Sequence, residues 1–207
     1  YRLLLYMFLI VTGIYLLLQQ ERGVVEPLFM ATSTPTRTVD SYILEAQAHF
    51  DAGRLDDPDP ASSDAIAAYR KALEITPNDA SLRAELARIL TYSSSLLSTV
   101  EQRRERLGEA RAEIDQATEL APDSSIVQAV RSFVYDWNAN PQVAGELARD
   151  YLTEERQSAA RALQIDPNNA QAWAEKARIE TYSTTMLSND TDRLERLEQA
   201  LASINKA

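Results

Sequence analysis

Residues 82–117 match residues 172–207 without a gap at eighteen of thirty-six positions, where average composition gives roughly two by chance. The clearest stretch is "ARILTYSSSLLSTVEQRRERLGEA" at 87–110, answered by "ARIETYSTTMLSNDTDRLERLEQA" at 177–200. Self-similarity at a fixed period restricts a chain to a repeat architecture, in which no single unit buries its own apolar face and neighbours do it by stacking.

The beat inside that repeat is set by proline. Pro77, Pro122 and Pro167 stand 45 residues apart, in "LEITPND", "TELAPDS" and "LQIDPNN". Each follows a stretch with apolar or small residues at i, i+3, i+4 and i+7, the spacing of a helix with one buried face. Proline has no N–H to donate and disfavours helix in the residue before it, so each one enforces a stop. The Asp or Asn that follows is suited to cap the next helix. With 45% hydrophobic residues and only five glycines, the chain is read as all-α. The units are helix, connection, helix and proline turn, over about 41–79, 80–124, 125–169 and 170–207. Units two apart match better than neighbours, so the 90-residue pair is read as the element that was duplicated.

"AIAAYRKALEITPND", at 65–79, resembles the second helix of a tetratricopeptide (TPR) repeat, with Ala65, Tyr69, Ala72 and Pro77 at the spacings of that pattern. "SYILEAQAHFDAGRL" supplies Tyr42, Ala46, Phe50 and Gly53 for the first helix; Ala87, Trp173 and Ala177 follow in later units. The resemblance implies a short solenoid of helical hairpins that binds a protein or peptide partner. The unit departs from the family in being 45 rather than 34 residues long. The third unit departs most: it inserts "NANPQVAG" and carries Glu155 where a small residue is expected. The last helix is expected to be covered by a partner, another copy or further residues, because a terminal repeat otherwise needs a polar outer face.

Ahead of the repeats, "LLLYMFLIVTGIYLLL" at 3–18 carries no charge. Residues 1–20 as a helix would span about 30 Å. This predicts a single transmembrane helix flanked by Arg2 and Arg22, a Ser/Thr/Pro-containing linker over 21–40, and a repeat domain at 41–207 on the non-cytoplasmic side. The alternative is a pilus-like surface filament with the apolar helix in its core, a reading that Leu5 weakens because pilins carry glutamate there.

The residues offer little chemistry. There is no cysteine, and His49 is the one histidine, so triads and thiolate or multi-histidine metal sites are excluded. Asp56, Asp57 and Asp59 lack the glycine and terminal glutamate of a calcium loop. No glycine-rich loop is present to cradle a phosphate, and no cofactor is expected. A net charge of −10 argues against nucleic acid, which demands clustered Lys and Arg. The sequence thus predicts no enzyme but an interaction scaffold, with self-assembly as a further possibility. Tyr42, Tyr69, Tyr92, Trp173 and Tyr182 are its candidate protein-binding aromatics. The duplicated "TYS" at 91–93 and 181–183 is read as packing and hydrogen-bond filling.

Overall fold

Each of the three prolines stands just beyond the end of a helix, and the residues after it start the next one. In the computed structural model, which describes residues 1–21, 37–57, 63–184 and 189–207, the chain is all-α, with no strand among the described residues. The helices are α1 (Arg2–Glu21), α2 (Val39–Asp51), α3 (Ala65–Ile75), α4 (Ala80–Ser94), α5 (Val100–Leu120), α6 (Ser125–Asn138), α7 (Pro141–Ala144), α8 (Ala148–Ile165), α9 (Ala170–Thr184) and α10 (Asp190–Ile204). A 3-10 turn, Gly145–Leu147, links α7 to α8. Residues 1–36 and 37–207 form two separate units.

Caps explain the helix starts. Asp79 accepts from the N–H groups of Ser81 and Leu82 at 2.9 and 3.1 Å. Ser124 accepts from Val127 at 3.4 Å, and Asn169 from Ala172 at 2.9 Å. Thr99 and Gln102 form a reciprocal capping box at α5, satisfying two donors that a helix start leaves without partners. Asp64 accepts from Ala67 at 2.7 Å and from the Asp57 N–H at 3.0 Å, so it caps α3 and ties down the loop before it. Asp64→Ala is expected to cost about 1–2 kcal/mol, read as a lower urea midpoint with unchanged slope.

The proline turns share a further device. The side chain six residues after each proline donates back to that proline's carbonyl: Arg83 Nε to Pro77 at 2.9 Å, Gln128 Nε2 to Pro122 at 3.0 Å and Trp173 Nε1 to Pro167 at 2.7 Å. Three different donors do one job, which an identity count at these positions does not reveal.

In the unit 37–207, consecutive helices pair as hairpins: α2 with α3, α4 with α5, α6 with α8, and α9 with α10. Between hairpins, α3 packs on α4, α4 and α5 on α6, and α6 and α8 on α9. Small residues let these helices approach. Ala72, Ala117 and Ala162, at 45-residue intervals, are fully buried, as are Ala65 and Ala110. Around them pack Ile66, Leu86, Ile89, Leu90, Ile114, Val127, Val130 and Val134. The inserted segment of the third unit becomes α7, held to α5 by Arg104 Nε donating to the Val143 carbonyl at 2.9 Å.

The duplicated "TYS" closes the ends of α4 and α9 in the same way. Thr91 and Thr181 donate to the carbonyls of Ala87 and Ala177, both at 2.8 Å. Ser93 and Ser183 donate to Leu90 and Glu180 at 2.8 and 2.7 Å. Such hydroxyls satisfy helix carbonyls locally and add no ligand chemistry.

The expected transmembrane helix is corrected here. Among the described residues no helix is long and apolar enough to cross a membrane. The single-pass membrane placement, with the repeats on the non-cytoplasmic side, falls with it. Of the linker expected over 21–40, residues 22–36 lie outside the described residues.

Candidate interaction surface

The first helix of each hairpin carries one face in register with the next, and counting by 45 shows what that face holds. Positions 88, 133 and 178 are Arg88, Phe133 and Arg178; positions 92, 137 and 182 are Tyr92, Trp137 and Tyr182. The rings meet across helices. Phe50 of α2 lies 5.9 Å from Tyr92 of α4, and Tyr92 lies 5.1 Å from Phe133 and 6.3 Å from Trp137 of α6. Phe133 and Trp137 are 6.0 Å apart. These tilted and edge-on contacts suit the quadrupoles of the rings.

Guanidinium groups flank the row at Phe50 and at Phe133. Arg88 lies 5.5 Å over Phe50, and Arg178 of α9 lies 5.5 Å over Phe133, within range for a cation–π attraction. Each arginine is held by the glutamate three residues before it, Arg88 by Glu85 at 2.5 Å and Arg178 by Glu175. The motif Glu-x-x-Arg-x-x-x-Tyr at 85–92 and 175–182 is thus part of the duplication. Two grooves open beside the row. One, of about 380 Å³, is lined by Asp136, Trp137, Pro141, Leu152, Arg178 and Tyr182; the other, of about 350 Å³, by Gln47, Phe50, Asp51, Tyr69, Glu85 and Arg88.

Beneath the first groove lies a cluster of carboxyl groups from three helices. Glu155 of α8 occupies the place that Ala65, Ala110 and Ala200 hold in the other units, and it is only 2% exposed. It shares a hydrogen bond with Asp136 of α6, which also pairs with Arg178 at 3.1 Å. Burial, and then the Asp136 charge, push the Glu155 carboxyl up to about 8. Burial likewise pushes Glu175 up to about 7 against the opposing pull of Arg178, and it raises Asp136 as well. Two carboxyl groups sharing a site do not both ionise freely, so burial and the neighbouring Asp136 favour the protonated form of Glu155.

Two further arginines fasten the hairpins. Arg131 donates to Glu154 and Ser158, both at 2.8 Å, and lies 4.5 Å over Tyr135. The Tyr135 hydroxyl, 3.0 Å from both oxygens of Asp115, is pushed up to about 12, chiefly by burial. Arg111 donates to Asn138 at 3.2 Å and to the Tyr151 hydroxyl at 2.6 Å.

The five predicted aromatics are dispersed. Tyr92 stands in the middle of the row, and Tyr182 is about half exposed on the wall of its groove. Tyr69 is buried in the core, with its ring only 2% exposed. Tyr42 is half-buried under the Arg37 guanidinium at 4.4 Å. Trp173 lies apart, its ring between Lys176 and Lys206 at 4.8 and 4.3 Å. It lines a groove of about 700 Å³ with Arg156, Leu163, Ile179, Glu180 and Arg196. Sequence reasoning missed Phe50, Phe133 and Trp137 as members of the row, although a count of 45 from Tyr92 lands on Trp137.

No protein-family model matches the chain, and comparison with curated proteins finds no match. The expected membership of the tetratricopeptide family, with its N-terminal transmembrane helix, is therefore corrected: the chain is all-α, and its 45-residue units part from the 34-residue family pattern where the connections lengthen. Among the described residues no group of His, Cys, Asp or Glu has the arrangement to hold a metal ion.

Proposed function

We propose that residues 37–207 form a short solenoid of four helical hairpins, stacked much as tetratricopeptide units are, and that it serves as a scaffold binding an extended segment of a protein partner. The observation that carries this is the ring row Phe50–Tyr92–Phe133–Trp137 with its two flanking guanidinium groups, which draws on all four first helices. Phe50, Tyr92 and Trp137 are half-buried around the buried Phe133, and partly exposed aromatics are the anchors that protein interfaces favour, because they bury much area at small entropic cost. The grooves beside them accept side chains, and the flanking Arg–Glu pairs offer donors and acceptors to a peptide backbone. Nothing in the site supplies an acid, base and nucleophile set at reacting distance, so binding rather than catalysis is the proposal.

Peptides selected from a random display library against the full chain test it. Trp137→Ala and Tyr182→Ala are expected to weaken the selected peptides at least tenfold, about 1.4 kcal/mol, while Glu119→Ala, on the far helix α5, leaves affinity unchanged. Peptides that bind both groove variants as tightly as the parent would defeat the proposal.

A further inference from the structure

The helix α10 leans on α9 through Ala200 and Ser203, whose hydroxyl donates to Glu180 at 2.9 Å. Another face carries Leu194, Leu197, Leu201 and Ile204, which are 63, 45, 58 and 55% exposed. Their spacing of three, four and three residues is that of successive a and d positions in a coiled coil.

The same positions in the two preceding second helices show what this face is built for. In α5 they are Arg104, Leu107, Arg111 and Ile114; in α8 they are Arg149, Leu152, Arg156 and Ala159. Leu107 and Ile114 are buried, and α5 packs on α6. Arg104 and Arg111 reach out to the Val143 carbonyl and to Asn138 and Tyr151, all in the following hairpin. Both α5 and α8 carry arginine at the first and third positions, and α10 carries leucine at both. The leucines give α10 an unbroken apolar seam where α5 has two arginine donors. A matching seam is the surface that fits it.

We infer that α10 pairs with α10 of a second copy of this chain, parallel and in register. Charge decides the direction. With Leu194 and Leu201 at a and Leu197 and Ile204 at d, Arg193 falls at g and Glu198 at the following e. A parallel pair sets Arg193 beside the partner's Glu198 on both flanks, whereas an antiparallel pair sets Glu198 against the partner's Glu198. Arg193 also holds Asp190 within its own helix at 3.3 Å, an exposed pair of small worth. Eight large side chains bury on the order of 800 Å² in total, below a standard interface, so the dimer is a weak, reversible one.

Because the chain has no cysteine, Leu201→Cys in the full chain places a single thiol on the seam. Oxidation at about 50 µM is expected to give mostly disulfide-linked dimer, while Gln199→Cys, on the opposite side of α10, stays largely uncrosslinked. Sedimentation of the parent should show a concentration-dependent dimer. Leu194→Arg with Leu201→Arg, which restores the α5 residues, should weaken it at least 100-fold with the helical circular dichroism unchanged. Absence of a crosslink in the Leu201→Cys variant, equal crosslinking in the Gln199→Cys variant, or a double-arginine variant that associates as the parent does would each overturn the inference.

Discussion

Replacing Arg178 by alanine is expected to lower the unfolding free energy by about 2–4 kcal/mol at pH 8, below the upper range for a broken buried ion pair because a third of the side chain meets solvent. Arg178 is the cation that faces Asp136 and Glu175, with the Glu155 carboxyl next to them. Without it, the carboxyl groups of α6, α8 and α9 either stay charged and uncompensated or take up protons against the solvent pH. The loss therefore shrinks as pH falls toward 5, where protons neutralise the cluster. Urea unfolding at pH 5, 7 and 8 measures it. A loss of equal size at all three would show that Arg178 acts through packing on Phe133 alone.

The opposite sign is expected at the neighbouring position. Glu155→Gln should raise stability at pH 8 by on the order of 2–4 kcal/mol, a shift of one pH unit being worth about 1.4 kcal/mol. In the folded chain burial and Asp136 push Glu155 up to about 8 from an ordinary 4.5. Between those values the folded state binds more protons than the unfolded one, so stability falls as pH rises through the window and levels above it. Glutamine keeps a donor toward Asp136 and carries no charge to desolvate. The parent's downward slope between pH 5 and 8 should flatten in the variant. A parallel pair of stability curves would mean that Glu155 is ionised in the folded state throughout.

Such a cluster explains what the sequence could and could not convey. Local chemistry was legible: a proline acts on its own residue and the one before, so Pro77, Pro122 and Pro167 mark the helix ends that the structure shows, and the polar residues after them cap the next starts. The all-α class followed from the same periodicity. Glu155 was visible as a departure, since a carboxylate stood where the other units have alanine. Its meaning was not, because the hydrogen bond it shares with Asp136 depends on α6 and α8 packing side by side. The ring row was hidden for a similar reason. Phe133 and Trp137 belong to the most divergent unit, and only the 45-residue register joins them to Tyr92. The membrane expectation rested on the uncharged run at 3–18, whereas among the described residues no helix is long and apolar enough to cross a membrane.

The account rests on hairpins that pack in chain order and so bring rings from successive first helices together. Nuclear Overhauser contacts among selectively labelled aromatic side chains test this directly, and four phenylalanines and two tryptophans keep the assignment small. Tyr92 is predicted to show cross-peaks to both Phe50 and Phe133, joining α2, α4 and α6. A folded, helical protein in which Tyr92 shows neither would contradict the stacking and every reading built on it.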